Sequence, residues 1–339
     1  MFSCNSSKFT EVDLKISELS TQCDASLRGL FVIDENVIWS SGTKGTVLVS
    51  ENGGENWNIN QISRATENDF RSIHAWDKNR AIVFAIAGPA FGFLTENGGE
   101  SWNVVFQDTT KGLFFNSLKF ANEKVGLAVS DPVGGKLFVI RTENGGGKWE
   151  RVSDIPEIIE GEANFAASNT CIEFLPSGKA WMATGGKVAR IFYSVDFGKS
   201  WKVSETPIIS GSTSSGIFSV SFKNELEGVI VGGTYDHPEQ NKNIAAYTQD
   251  GGKTWQSSLK MPAEYRSCTQ FVSFEKENFF LAVGKTGFDF SLDSGKNWHS
   301  IKSNDGYYTF RPVPGKFLGF VAGSEGRISK ISFSYQAVN

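Results

Sequence analysis

One eight-residue pattern occurs six times in this chain and constrains it more than any other feature. It runs Ser/Thr, any residue, Asp/Asn, any residue, Gly, any two residues, Trp. The copies are SENGGENW (50–57), TENGGESW (95–102), TENGGGKW (142–149), SVDFGKSW (194–201), TQDGGKTW (248–255) and SLDSGKNW (291–298). Their starts lie 45, 47, 52, 54 and 43 residues apart. The chemistry is that of a turn. The Asp/Asn side chain accepts from backbone N–H groups just ahead of it, and the Ser/Thr hydroxyl supports it. Gly at the fifth position takes a positive φ that a Cβ would oppose. Trp on the strand leaving the turn buries a large ring. A catalytic group is not needed six times over, whereas a fold-forming turn is.

Short apolar runs accompany each copy. Around the first they fall at 30–33, 37–39 and 46–49, with a fourth beginning at Trp57, and the same order recurs around the other five. Four strands per roughly 45-residue unit predict a β-propeller blade. The C-terminal stretch adds three strands without a box, at 307–310, 317–322 and 327–333. Residues 9–16 alternate as an outer strand lacking its blade. Pairing the two ends gives an all-β, seven-bladed propeller of four-stranded antiparallel blades with six boxes. The N-terminal strand closes the ring, so that no blade is left with an exposed inner edge. At 339 residues, seven blades take about 48 each. The expected organisation is a flexible tether over 1–8 and one propeller domain over 9–335.

Composition narrows the function. A net charge of −4 argues against nucleic-acid binding by a basic surface. No apolar run approaches the ~20 residues of a membrane-spanning helix. Cys4, Cys23, Cys171 and Cys268 form no CxxC pair, and His74, His237 and His299 are far apart. No metal site and no cofactor is therefore expected. Neither GxGxxG nor GxSxG occurs, so nucleotide-dependent oxidation and nucleophile-elbow hydrolysis lack their motifs. Cys171 and Cys268 fall in first strands of non-adjacent blades and read as buried thiols.

Propellers usually place ligands at the mouth of the central channel, opposite the box turns. Aligning the first-strand starts puts Arg28, Arg71, Asn116, Asn169, Phe218, Arg266 and Tyr308 at one register there. Three arginines at one level suit a carboxylate, phosphate or sulfate. Equally, each could pair with a local acid, and Asp69 and Glu264 stand two residues before Arg71 and Arg266. Loops between second and third strands add Lys44, Asp131, Thr184, Lys187, Tyr235, Asp236, His237 and Lys285. Glu162 joins them from the link before Asn169, where Gly and Ala neighbours suggest close packing against the channel.

The boxes are similar to the Asp-box (BNR) repeat of sialidases, sortilin-type receptors and the photosystem II assembly factor family. The chain most resembles that last family, together with bacterial propellers labelled glycosyl hydrolase or oxidoreductase. The resembling stretches are LRGLFVIDENVIWSSGTKGTV (27–47), SDPVGGK (130–136), GEANFAASNTC (161–171), VGGTYDHP (231–238) and EYRSC (264–268). The resemblance implies the fold rather than an activity, and the expected function is a non-catalytic binding or assembly module that takes a protein, an anionic glycan or an anionic small molecule at the channel mouth. Its alternative is a glycoside hydrolase or lyase of sialidase type. There Arg28, Arg71 and Arg266 would hold the sugar carboxylate, Tyr235 or Tyr308 with Glu162 would form the nucleophile pair, and Asp131 would be the acid. Against this, sialidases carry a Phe/Tyr-Arg-Ile-Pro segment ahead of their boxes and have six blades. The nearest match, Phe310-Arg311-Pro312, is at the other end and lacks the Ile. The start, Met1 to Lys8, resembles the end of a bacterial lipoprotein signal with Cys4 as the lipidated residue. An ordinary polar start reads as well. The first reading implies an exported protein of the periplasm or cell envelope, touching the membrane only through that anchor.

Overall fold

The computed structural model describes residues 9–337, apart from 87, 88, 276, 302, 304 and 305. Its strands form seven antiparallel sheets around a ring. Blade 1 shows the common plan: Leu27–Val32, Ile38–Gly42, Thr46–Ser50 and Asn58–Gln61 pair in chain order from the channel outward. Blades 2 to 6 repeat it within 70–108, 115–151, 172–205, 215–257 and 268–301, and the short strands Gly185–Gly186 and Glu162–Ala163 extend the blade 5 sheet beyond its inner strand. Blade 7 takes Thr309–Pro312, Leu318–Ala322 and Ile328–Ala337 from one end of the chain and Phe9–Leu19 from the other. The N-terminal strand is thus the outermost strand of the last blade, running three residues beyond the expected 9–16. One 3₁₀ turn, Ser63–Ala65, is the only helical element among the described residues.

The box turns are built as their chemistry requires. In the fourth copy Asp196 accepts from the N–H groups of Lys199 (3.1 Å) and Ser200 (3.0 Å), and Ser194 Oγ accepts from Gly198 N–H (3.0 Å). Trp201 Nε1–H donates to Gly198 O at 3.0 Å. The fifth-position glycines all have φ between 75° and 90°.

Apolar side chains collect between blades rather than within them. Among the described residues seven clusters each span one pair of neighbouring blades, such as Trp39, Val49, Ile73 and Val83 across blades 1 and 2. A single blade has no core of its own, so the ring folds as a unit. An eighth, smaller cluster of Ala167, Phe218 and Tyr265, with Phe165 against it, lies at the channel mouth.

Two features shape that mouth. The first is a set of β-bulges. The inner strands of blades 1, 2, 3 and 5 shift register across Arg28, Arg71, Asn116 and Phe218. A bulge adds one residue on one side of a ladder and re-aims its side chain. The second is a strap. Residues 163–169, entering blade 4, cross to distant blades instead of running straight into their strand. Ser168 Oγ–H donates to Ser267 O (2.6 Å), Asn169 Nδ2–H to Ile73 O (2.9 Å), and Arg311 Nη2–H to Ser168 O (3.1 Å). Gly185 and Gly216 make room for it: a Cβ on Gly185 would collide with the Phe165 ring and with Gly216 Cα.

Candidate functional site

The bulged residues and the strap enclose a cavity of about 430 Å³ at the channel mouth. Arg28, Arg71, Asn116, Asp131, Tyr235 and Tyr308 all line it, as do Lys285 and Phe218. Residues 163–167 of the strap form part of its wall. A larger groove of about 850 Å³ follows the seam of blades 7 and 1, but Lys44 and Asp24 in it already pair at 2.8 Å.

One side of the cavity is cationic. Arg28 Nη1–H donates to Ala167 O at 3.1 Å, and its guanidinium lies 4.0 Å from the centre of the Tyr308 ring. It makes no ion pair among the described residues. Burial, and then the neighbouring Arg71 cation, pull its pKa below the ordinary arginine value. Arg71 is ion-paired: Nε–H donates to Asp69 Oδ2 at 2.8 Å and Nη1–H to Ala166 O at 3.3 Å. Lys285 Nζ stands 5.6 Å from the same Tyr308 ring. The strap carbonyls thus hold two guanidiniums that would otherwise repel each other.

A second corner is acidic. Asp131 lies near the end of the second strand of blade 3, Gly126–Val133, and Asn116 Nδ2–H donates to its Oδ1 at 2.9 Å. Asn164 supplies a backbone N–H. Burial outweighs both bonds and pushes the carboxyl up to about 6. The third side is aromatic. Phe165 of the strap stacks on Phe218 with ring centres 3.9 Å apart, and Tyr265 meets Phe218 edge-on at 4.8 Å. Tyr235, 55% exposed, closes the rim against both phenylalanines.

Three expected site residues lie elsewhere. Arg266, only 1% exposed, is not part of the lining. It pairs with Asp289 through Nε (2.6 Å) and Nη2 (2.5 Å), and donates to Thr286 Oγ1 at 2.8 Å. Its acid is therefore neither Asp69 nor Glu264 but a third-strand Asp that local spacing does not reveal. Glu162 is 2% exposed and sealed by Arg190 (2.5 and 3.0 Å), the Thr184 hydroxyl (2.6 Å) and Ile159 N–H (2.9 Å). It anchors the start of the strap. Asn169, at φ 58°, accepts from Leu118 N–H at 2.8 Å and serves as the strap's far strut. Of the three arginines, then, two meet at the mouth. His74 packs against Phe31, Trp76 and Phe120, and desolvation there pushes it down to about 3, so it is a neutral packed ring. Cys171 and Cys268 are buried free thiols. Cys4 and the proposed tether fall outside the described residues.

Sequence reasoning missed Phe165, Ala166, Ala167, Asn164, Phe114 and Tyr265 as lining residues. The small-residue run GEANFAASN was the available signal for the strap, but nothing in it announces that its carbonyls face arginines two and three blades away.

The profile of the BNR/Asp-box repeat matches residues 246–257, which hold the whole of the fifth box. The chain is a seven-bladed Asp-box propeller. Among solved structures it is similar to YCF48 from Cyanidioschyzon merolae, with TM-score 0.64 and 17% identity over 94% of this chain and 99% of that one. A structure described as YCF48 bound to D1 peptide gives TM-score 0.63 and 14% identity over 94% of each chain. The Niastella koreensis GH74 enzyme gives TM-score 0.61 and 12% identity over 91% of this chain and 43% of that one. At these identities the likeness concerns the fold. Among curated proteins none matches the sequence.

Proposed function

We propose that this propeller is a binding or assembly module which grips a carboxylate-bearing segment of a partner protein in the channel mouth. The observation that carries this is Arg28: a largely buried guanidinium, beside a second cation, with no ion pair among the described residues. Buried charges normally have partners. An incoming carboxylate supplies one, and the planar donor fork suits it better than an ammonium would. Neutral strap carbonyls and the Tyr308 ring hold the site ready in the meantime. A neighbour of the same fold described as bound to a peptide supports a protein ligand.

Glycosidic hydrolysis fits less well. It uses two carboxylates flanking one bond. Asp131 is the one carboxylate among the described lining residues, because Glu162 is committed to Arg190 and Thr184.

Calorimetric titration with short peptides, each in acid and C-amidated form, tests the proposal. Acid forms should bind more tightly, and the preference should shrink at high salt as screening sets in. Arg28→Lys should weaken the acid forms about tenfold with its melting curve unchanged. Equal binding of acid and amide forms, or full affinity in Arg28→Lys, overturns it. So does tight binding of uronic or sialic oligosaccharides with none of peptides.

A further inference from the structure

We propose that Asp131 seats an ammonium group, so that the mouth takes a ligand carrying an amine and a carboxylate on an apolar body. This rests on the reading of Arg28 and Arg71 as a carboxylate site and adds the opposite pole.

Asp131 makes no ion pair among the described residues, and its partners, Asn116 Nδ2–H and Asn164 N–H, are both neutral. A partly buried carboxylate held only by amides still lacks the counter-charge that normally accompanies burial. The two asparagines sharpen the need. Asn116 spends a donor on Asp131, and Asn164 Nδ2–H donates to Ala183 O at 2.7 Å. These bonds fix which way each amide points. Both side-chain oxygens are left buried without a partner. Asp131 is thus left with neutral donors only, and an ammonium, with three donors and a positive charge, is the group that supplies what is missing.

The rest of the cavity agrees. Asp131 bonds to Asn116 and Asn164 and Arg28 to the strap's Ala167, so the two charges are held by different partners as separate seats. The Phe165–Phe218 stack gives the ligand body an apolar wall. The volume, about 430 Å³, lies in the range of small-ligand sites. A free amino acid, the ends of a very short peptide, or a Lys and an acidic side chain flanking an aromatic one all present this chemistry.

The test uses the full-length protein and a phenylalanine-centred tripeptide in four forms: both ends free, N-acetylated, C-amidated, and both blocked. Acetylation should weaken binding about tenfold, equivalent to about 1.4 kcal/mol. In Asp131→Asn the free and acetylated forms should bind alike. For the wild type, the same ratio should fall toward one between pH 7 and pH 5, as Asp131 takes up its proton. This second readout decides the matter even if the variant does not fold. Free phenylalanine and a doubly blocked Lys-Phe-Glu peptide are the further arms, and the tightest binder names the source of the two charges. A wild type that ignores acetylation, or an Asp131→Asn protein that still discriminates, overturns the ammonium seat alone. Indifference to C-amidation overturns the carboxylate site beneath it.

Discussion

The two faces of this ring follow opposite rules. On the box face, one turn is repeated in six blades with the same hydrogen bonds. Ser50, Thr95, Thr142, Ser194, Thr248 and Ser291 each accept from the N–H of the fifth-position glycine at 2.9–3.1 Å. At the mouth, one register carries Arg, Arg, Asn, Asn, Phe, Arg and Tyr, and each has a different partner. Repetition marks what every blade needs in order to form. Variation marks where the blades can be used separately, because a ligand at the mouth meets several of them at once. Within the variable face a further division appears. Arg28 and Arg266 share a register, yet one lines the cavity and the other is locked to Asp289.

Four measurements would break or sharpen that contrast. The largest effect should come from closure, which neither face controls. Deleting residues 9–19 removes the outer strand of blade 7 and the Val12 side chain from the seam with blade 6. The single cooperative melt of the wild type should be lost, since the ring then has an open, unsealed blade. A melt unchanged by the deletion would mean that three strands suffice there.

Next comes the pair of arginines. Arg266→Met leaves Asp289 buried and unpaired and should cost about 3–5 kcal/mol of stability by denaturant titration. Arg28→Met breaks no ion pair and should cost no more than about 1 kcal/mol while abolishing acid-selective binding. Equal costs would erase the distinction drawn between them.

Asp131 should show itself in pH dependence. Its carboxyl is raised from 3.8 to about 6 by burial, so the folded state holds its proton more tightly than the unfolded chain. Its contribution is most favourable below pH 4 and is lost as pH rises toward and through 6. Asp131→Asn should therefore stabilise the unliganded protein by about 1–3 kcal/mol at pH 8, with the gain vanishing near pH 4. A gain independent of pH would show that the carboxyl is not strained by burial.

The smallest effect belongs to a single box. Asp196 caps two N–H groups near the surface, much as an N-cap residue does, so Asp196→Ala should cost about 0.5–2 kcal/mol. Ligand affinity, measured where the variant is folded, should stay at the wild-type value. Lost affinity in a folded variant would place function on the box face.

The sequence by itself determined the blade count, the turn chemistry and the closing strand. All of these are local or periodic: a box spans eight residues, and alternation is read over five or six. Even the bulge positions coincide with the aligned residues at Arg28, Arg71, Asn116 and Phe218, because a repeated strand start bends in a repeated place. Only the tertiary structure decided which charges stay available. Glu162 meets Arg190 across 28 positions, Arg266 meets Asp289 across 23, and the strap's Ala167 meets Arg28 across 139. Such partners are chosen by ring closure and by how closely Gly185 and Gly216 let two backbones approach. A charge near the channel can be named from spacing, but whether it is paired depends on what the far side of the ring brings against it.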